Sequence, residues 1–206
     1  MKTHKIEQGT DEWHKLRVGI PTASQFSKLV TSSGEPSKSA EKYAYQLAAE
    51  KYHGSPVDAW AGNKWTENGN ETEPDAREFY SLSHLVDVVQ TGFITDDLVT
   101  MGCSPDGLVG DDGLLEIKCL KAENFVETAL YWRKHGKCPT KYVPQTQGQM
   151  LICEREWCDL LFYHRDLPPF VIRQHADPDF HAALKREAEK INKSVDEIYQ
   201  VLVGLE

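Results

Sequence analysis

Asp106, Glu116 and Lys118 are the residues of this chain whose types and spacing suit a chemical reaction. Asp106 lies in Ser104-Pro105-Asp106-Gly107, a turn sequence, and Glu116-Ile117-Lys118 begins ten residues after it, inside a short apolar run. Positions 114–119 read as a strand, bounded on the N-terminal side by the turn Gly110-Asp111-Asp112-Gly113. Side chains two apart on a strand share a face, so Glu116 and Lys118 point the same way, and a hairpin returns Asp106 toward them. Two carboxylates can hold Mg²⁺, which keeps waters and takes phosphate oxygens as further ligands. The metal lowers the pKa of its water and neutralises charge on a phosphate, while the lysine orients or deprotonates the attacking water. That is a way to cut a phosphodiester bond. Pro-Asp-Gly and Gly-Asp-Asp-Gly are also ordinary turns, and Glu-x-Lys is common on exposed strands. The apolar surroundings favour the chemical reading, because a Glu and a Lys facing inward are costly unless they serve a metal or each other.

The elements that must position these residues follow from pattern. Thr10 caps a helix through Trp13 and Leu16 to Arg17, and Thr22 or Ser24 caps a second through Phe26 and Leu29. A long helix is expected from 39 to about 52 and another over roughly 67–81, which Pro74 starts or kinks. Strands are expected at 85–94, 99–103, 108–109 and 114–119, then a helix through Phe125, Leu130 and Tyr131 ending near Gly136. A helix from Pro144 through Met150 precedes strands at 157–164 and 170–174, and a last helix runs from about 178 to 203. Helices flanking a central mixed sheet give an α/β (α+β) chain, read as one domain over 1–206.

Composition sets further bounds. The 206 residues carry a net charge of −9, with 40% hydrophobic and 27% charged residues, as in a globular protein with a substantial core. No apolar run reaches the roughly 18 residues of a membrane span, and the first residues lack the apolar stretch of a signal peptide. The five cysteines have no metal-site spacing and read as thiols of a reducing cytoplasm. An acidic chain is a poor partner for DNA on total charge alone. Distribution qualifies that, since Lys118, Lys121, Arg133, Lys134, Lys137 and Lys141 face only Glu123 and Glu127 over 118–141.

Three further groups stand out. Arg17, Thr22 and Ser24 combine a guanidinium, two hydroxyls and a helix start, which suits a terminal phosphate, although Thr22 and Ser24 also read as simple caps. Glu71 and Glu73 precede Asp75-Ala76-Arg77, where a helix could present one carboxylate to the metal or simply a solvated acidic face. In Gln145-Thr146-Gln147-Gly148-Gln149, alternate glutamines could orient a water or hold the lysine.

Taken in order, these pieces resemble the phage lambda exonuclease family, within the nuclease superfamily named for its Pro-Asp…Asp/Glu-x-Lys motif. The matching residues are Glu7-Gln8-Gly9-x-Asp11-x-Trp13-His14-Lys15-Leu16-Arg17 with Thr22-Ala23-Ser24, Gly69-x-x-x-Glu73-x-x-Ala76-Arg77, Cys103-Ser104-Pro105-Asp106-Gly107, Glu116-Ile117-Lys118-Cys119 and Gln145-x-Gln147. The resemblance implies a restriction-endonuclease-like core and a Mg²⁺-dependent 5′→3′ exonuclease acting on linear double-stranded DNA, with Mn²⁺ as a substitute. It implies Asp106, Glu116 and the Ile117 carbonyl as metal ligands. Lys118, Glu73 and Gln147 would be catalytic, and Arg17, Thr22, Ser24 and Ser104 would bind the 5′-phosphate. It further implies a homotrimeric ring around DNA, a single-strand annealing protein as partner, and a phage or prophage origin with work in the bacterial cytoplasm. Pro74 directly after Glu73 departs from the expected pattern. Alternatives are an endonuclease with the same metal site, for which a terminal-phosphate pocket has no use, and a non-catalytic DNA-end-binding module, which would not need Asp106, Glu116 and Lys118 together.

Overall fold

The apolar run around Glu116 forms a strand, Gly113–Cys119, in the middle of a five-stranded sheet. A computed structural model describes residues 1–57 and 64–205, with the backbone alone for 64–71. In chain order the elements are β1 (Lys2–His4), α1 (Asp11–Leu16), a 3₁₀ helix (Ala23–Lys28), α2 (Ala40–His53), α3 (Lys64–His84), β2 (Val88–Val89), β3 (Phe93–Thr95) and β4 (Gly102–Cys103). After these come β5 (Gly107–Val109), β6 (Gly113–Cys119), α4 (Ala122–His135), a 3₁₀ turn (Thr140–Tyr142), α5 (Val143–Cys153), β7 (Trp157–His164), β8 (Leu167–His175) and α6 (Pro178–Val203).

The main sheet has the order β2-β5-β6-β7-β8, antiparallel except for the parallel pair β6 and β7. A parallel pair needs a crossover, and α4 and α5 supply it. A smaller antiparallel sheet has the order β1-β3-β4. Alternation along β6 divides the core. Leu115 and Ile117 pack with Ala76 and Tyr80 of α3 on one face, and Leu114 joins Met150, Phe26, Leu47 and Leu184 on the other. Leu160 and Phe162 of β7 pair in register with Glu116 and Lys118, and they pack with Phe125 and Tyr142. Two charged side chains therefore stand on a sheet face that is otherwise apolar.

Mixed helix and sheet agrees with the expected class, and the helices fall where the sequence places them, except that the one after Thr22 is a 3₁₀ helix without the expected side-chain cap. Thr10 caps α1 by accepting from Trp13 N–H, and Asp177 caps α6 by accepting from two amides. Pro74 lies inside α3. The main difference falls at 85–94, expected as one strand. The chain there makes β2 in one sheet and β3 in the other, with Leu85 left 90% exposed. Gly92 allows the change of sheet: a Cβ there would stand 2.2 Å from the Ile6 carbonyl oxygen, so only glycine lets the N-terminal backbone this close. At 99–103 only Gly102–Cys103 pairs, because Asp96 ties the preceding turn by accepting from Thr100 and Met101 amides. All five cysteines are free thiols.

The 3₁₀ helix packs against α5 through Phe26, which is fully buried over Gly148. A Cβ on residue 148 would lie 2.2 Å from the Phe26 ring. Gly148→Ala is expected to cost about 1–3 kcal/mol through overpacking, read as a lower midpoint in urea unfolding. An unchanged midpoint would show that this contact does not hold the two elements together.

Candidate active site

The tight hairpin between β5 and β6 is what brings the acidic residues together. Gly110 takes a positive φ of 56° in the turn, and the ladder runs from Val109↔Gly113 to Gly107↔Leu115. Asp106, one residue before β5, therefore stands opposite the strand just past Leu115. Its Oδ2 accepts the Ile117 N–H at 2.6 Å. In an extended strand the N–H and C=O of one residue leave on the same side. The Ile117 carbonyl is thus directed to the Asp106 side, past the end of the β5 ladder.

Glu116, the next residue along β6 from Leu115, is only 4% exposed, and Lys118 Nζ donates to its Oε1 at 2.6 Å. Helix α5 lies over this pair. Gln145 Nε2 donates to Glu116 Oε1 at 2.6 Å, Gln149 Nε2 donates to Oε2 at 2.6 Å, and Gln145 Oε1 accepts from Lys118 at 3.0 Å. Residues four apart share a helix face, which is why 145 and 149 act together. Gln147 points elsewhere. Its Nε2 donates to the His175 carbonyl and its Oε1 accepts from the Asp177 amide, at 2.8 and 3.0 Å. The expectation that Gln147 orients the lysine or a water is therefore corrected: two residues on from 145, it faces away and ties α5 to the start of α6. The i, i+4 spacing of Gln145 and Gln149 was the signal that would have found the pair in contact.

Helix α3 supplies a third acid. Glu73 is ion-paired with Arg77, one turn later, and Arg77 Nε donates to the Asp106 carbonyl at 3.1 Å. Arg77 therefore braces the Asp106 turn; its i, i+4 spacing from Glu73 signals the ion pair alone. Tyr80 pins the same helix to the sheet by donating to buried Asp159 at 2.7 Å, and Arg173 grips the other oxygen of that carboxylate at 2.7 Å. Gly69 and Glu71, also singled out in the sequence, lie outside the residues with described side chains.

Charge repulsion is built into this cluster. Burial, then Glu116 and Glu73, push the Asp106 carboxyl well above the usual carboxylate range, against the Ile117 N–H and Lys118. Burial works against the Lys118 ammonium, but the charge and hydrogen bond of Glu116 outweigh it and the net shift is upward, so Lys118 stays protonated at neutral pH. Among the described residues no three His, Cys, Asp or Glu side chains gather into a complete metal cage. Two carboxylates with a backbone carbonyl remain a suitable donor set for Mg²⁺, which takes few protein ligands and keeps its waters.

A second group adjoins the first through Ser104. Trp13 Nε1 donates to Ser104 Oγ at 2.8 Å, and the Arg17 guanidinium lies 3.9 Å from the centre of the Trp13 ring. Arg17 also reaches Thr22 Oγ1 at 3.5 Å and lines a cavity of about 300 Å³ with Thr22, Lys28, Tyr43 and Glu50. Burial lowers the Arg17 pKa and pushes the Tyr43 hydroxyl up to about 12, where it accepts the Thr22 N–H as a neutral phenol. Arg17, Thr22 and Ser104 are thus brought together through Trp13, whereas Ser24 is exposed on the 3₁₀ helix.

Comparison with known proteins supplies a relationship. The YqaJ-like viral recombinase domain matches residues 12–156. The crystal structure of the alkaline exonuclease LHK-Exo from Laribacter hongkongensis superposes with a TM-score of 0.81 at 31% identity, covering 94% of this chain and 96% of that one. LHK-Exo in complex with dAMP gives a TM-score of 0.80 at 29% identity, covering 96% and 100%. A phage related exonuclease from Haemophilus somnus 129PT shares the fold, with a TM-score of 0.69 at 16% identity over 89% and 96% of the two chains. No curated protein matches the sequence.

The raised Asp106 value has a stability consequence. A carboxyl whose folded-state pKa exceeds its unfolded value favours the fold at low pH, and that contribution is lost as pH rises through the folded-state value. At neutral pH, without a cation, the Asp106 carboxyl therefore favours folding less than it does in acid. In buffer with a chelator, Asp106→Asn is expected to melt a few degrees higher than the parent near pH 8, at roughly 2–4 °C per kcal/mol relieved. The gain should shrink toward about pH 4 as the parent carboxyl protonates. Equal melting temperatures across the range would contradict it.

Proposed function

The chain belongs to the YqaJ-like viral recombinase family, and from that premise we propose that it is a Mg²⁺-dependent exonuclease. It degrades one strand of linear double-stranded DNA 5′→3′ from phosphorylated ends and leaves 3′ single-stranded tails for recombination by annealing. The observation that carries this reading is the adjacency of the two groups. Asp106, Glu116 and Lys118 form one cluster, and Ser104, two residues before Asp106, joins it to Arg17 through Trp13.

Asp106, Glu116 and the Ile117 carbonyl would hold the metal, which supplies an attacking water of lowered pKa and neutralises charge on the phosphate. Mn²⁺ fits the same oxygens. Lys118 is held by Glu116 and Gln145, so its ammonium has one fixed direction in which to orient the water. Glu73 adds negative charge behind Asp106, and Arg77 holds both. Arg17, with Thr22 and Ser104, would take the 5′-phosphate, and Ser24 would close the rim of that pocket. A bound phosphate there sets the distance from strand end to scissile bond, and so releases mononucleotides. LHK-Exo is a relative solved with such a nucleotide, dAMP.

The net charge of −9 is reconciled with DNA by distribution. Arg133, Lys134, Lys137 and Lys141 are exposed, form no ion pair among the described residues, and lead to Tyr142, whose ring lies 5.6 Å from Lys118 Nζ. A homotrimeric ring with this surface inward would hold a duplex by topology as well as charge. The partner would be a single-strand annealing protein, and the setting the cytoplasm of a bacterium carrying the phage. Among the described residues no helix is long and apolar enough to cross a membrane.

Two substitutions test the assignment. Lys118→Ala should lower cleavage by roughly 10²–10⁴-fold while DNA binding measured in Ca²⁺ persists; near-normal turnover would refute the role of the lysine. Arg17→Ala should abolish the preference for 5′-phosphorylated over 5′-hydroxyl ends in a competition digest, a loss of roughly 1.5–3 kcal/mol of charged hydrogen bonding. A preserved preference would show that the phosphate is held elsewhere.

A further inference from the structure

Three glutamines of α5 differ in one respect. Both amide atoms of Gln145 are paired, with Glu116 and Lys118, and both atoms of Gln147 are paired, with His175 and Asp177. Gln149 is the most buried of them, at 1% exposure, yet among the described residues its Oε1 has no partner. Its Nε2 donates to Glu116 Oε2 at 2.6 Å. Reversing the amide would set two acceptor oxygens against each other at that distance, so Glu116 dictates the orientation and the orphaned oxygen is its consequence. Such an unpaired buried acceptor is destabilising. A side chain that only filled space at this position would serve better as methionine or leucine. The feature that a glutamine adds is the N–H on the carboxylate.

We propose that Gln149 is a positioning residue for the nuclease reaction, fixing the second oxygen of Glu116 so that the carboxylate meets a divalent cation in one orientation. The inference rests on the metal-dependent reading given above. Lys118 and Gln145 both act on Oε1 of Glu116, leaving rotation about the carboxyl bond controlled at one end. Gln149 acts on Oε2 and locks the other. With both ends held, the one lone-pair site left on Glu116, on Oε2, keeps a constant direction. Partners of this kind, one bond removed from the metal, typically alter affinity or activity by about 10–100-fold.

The test compares Gln149→Met with Gln147→Met, two neutral replacements of similar volume on one helix. Mn²⁺ alone is the probe, its binding to the DNA-free protein followed by electron paramagnetic resonance, beside thermal melting and the Mg²⁺ dependence of cleavage. The expected result is that Gln149→Met binds Mn²⁺ at least ~10-fold more weakly and needs correspondingly more Mg²⁺ for half-maximal cleavage. Gln147→Met should melt earlier and keep the parent's Mn²⁺ affinity. If Gln149→Met binds Mn²⁺ as tightly as the parent, or if Gln147→Met weakens binding equally, Gln149 is structural and the proposal is overturned. Gln149→Leu gives the same comparison should the methionine variant not fold. Absence of Mn²⁺ binding by the parent would overturn the metal-dependent reading itself, and the proposal with it, and is read on the parent before any variant.

Discussion

The arrangement of this protein turns on a carboxylate, Glu116, buried to 4% exposure on a sheet face otherwise made of Leu114, Leu160 and Phe162. Removing one charge from water carries a penalty of several kcal/mol unless it is paired and hydrogen-bonded. Here three donors offset that penalty across both oxygens: the Lys118 ammonium and two amide N–H groups, each at 2.6 Å. Charge-assisted hydrogen bonds of this kind contribute about 1.5–3 kcal/mol each. The site is therefore a polar network set into an apolar core, and it exists only while α5 stays over β6.

Much of the remaining fold serves that constraint. Phe26 against Gly148 and the Gln147 link to the α6 start hold α5 in place from two directions. The short β5–β6 turn sets the register that brings Asp106 to Ile117. On the opposite face, Tyr80 and Arg173 meet at Asp159 and anchor α3, so that Arg77 can reach the Asp106 carbonyl. In this frame Glu116 and Glu73 both act against the ionised form of Asp106. Such a concentration of like charge works against the stability of the protein alone, and a divalent cation at the proposed site would relieve it.

Local chemistry made part of this legible in the sequence. A period of two placed Glu116 and Lys118 on one face, and turn residues marked the hairpin that returns Asp106. The cap at Thr10 and the helical periodicity of α2, α4 and α6 were equally visible, because each depends on neighbours within a few residues. What was not legible depends on distant partners. The split of 85–94 between two sheets is decided by the N-terminal backbone meeting Gly92. The resemblance pointed to Gln147, whereas helical geometry sets Gln145 and Gln149, four apart, over Glu116 and turns Gln147 away. Arg77 carries an ordinary i, i+4 ion pair, and nothing local says that its Nε reaches Asp106.

The most direct test of the account is digestion, with and without Mg²⁺, of three duplexes: linear with a 5′-phosphate, linear with a 5′-hydroxyl, and covalently closed circular. The account predicts Mg²⁺-dependent loss of the phosphorylated linear DNA first, slower loss of the hydroxyl form, and an intact circle. Cutting of the circle would contradict it, since an enzyme that acts on strand ends has nothing to grip there.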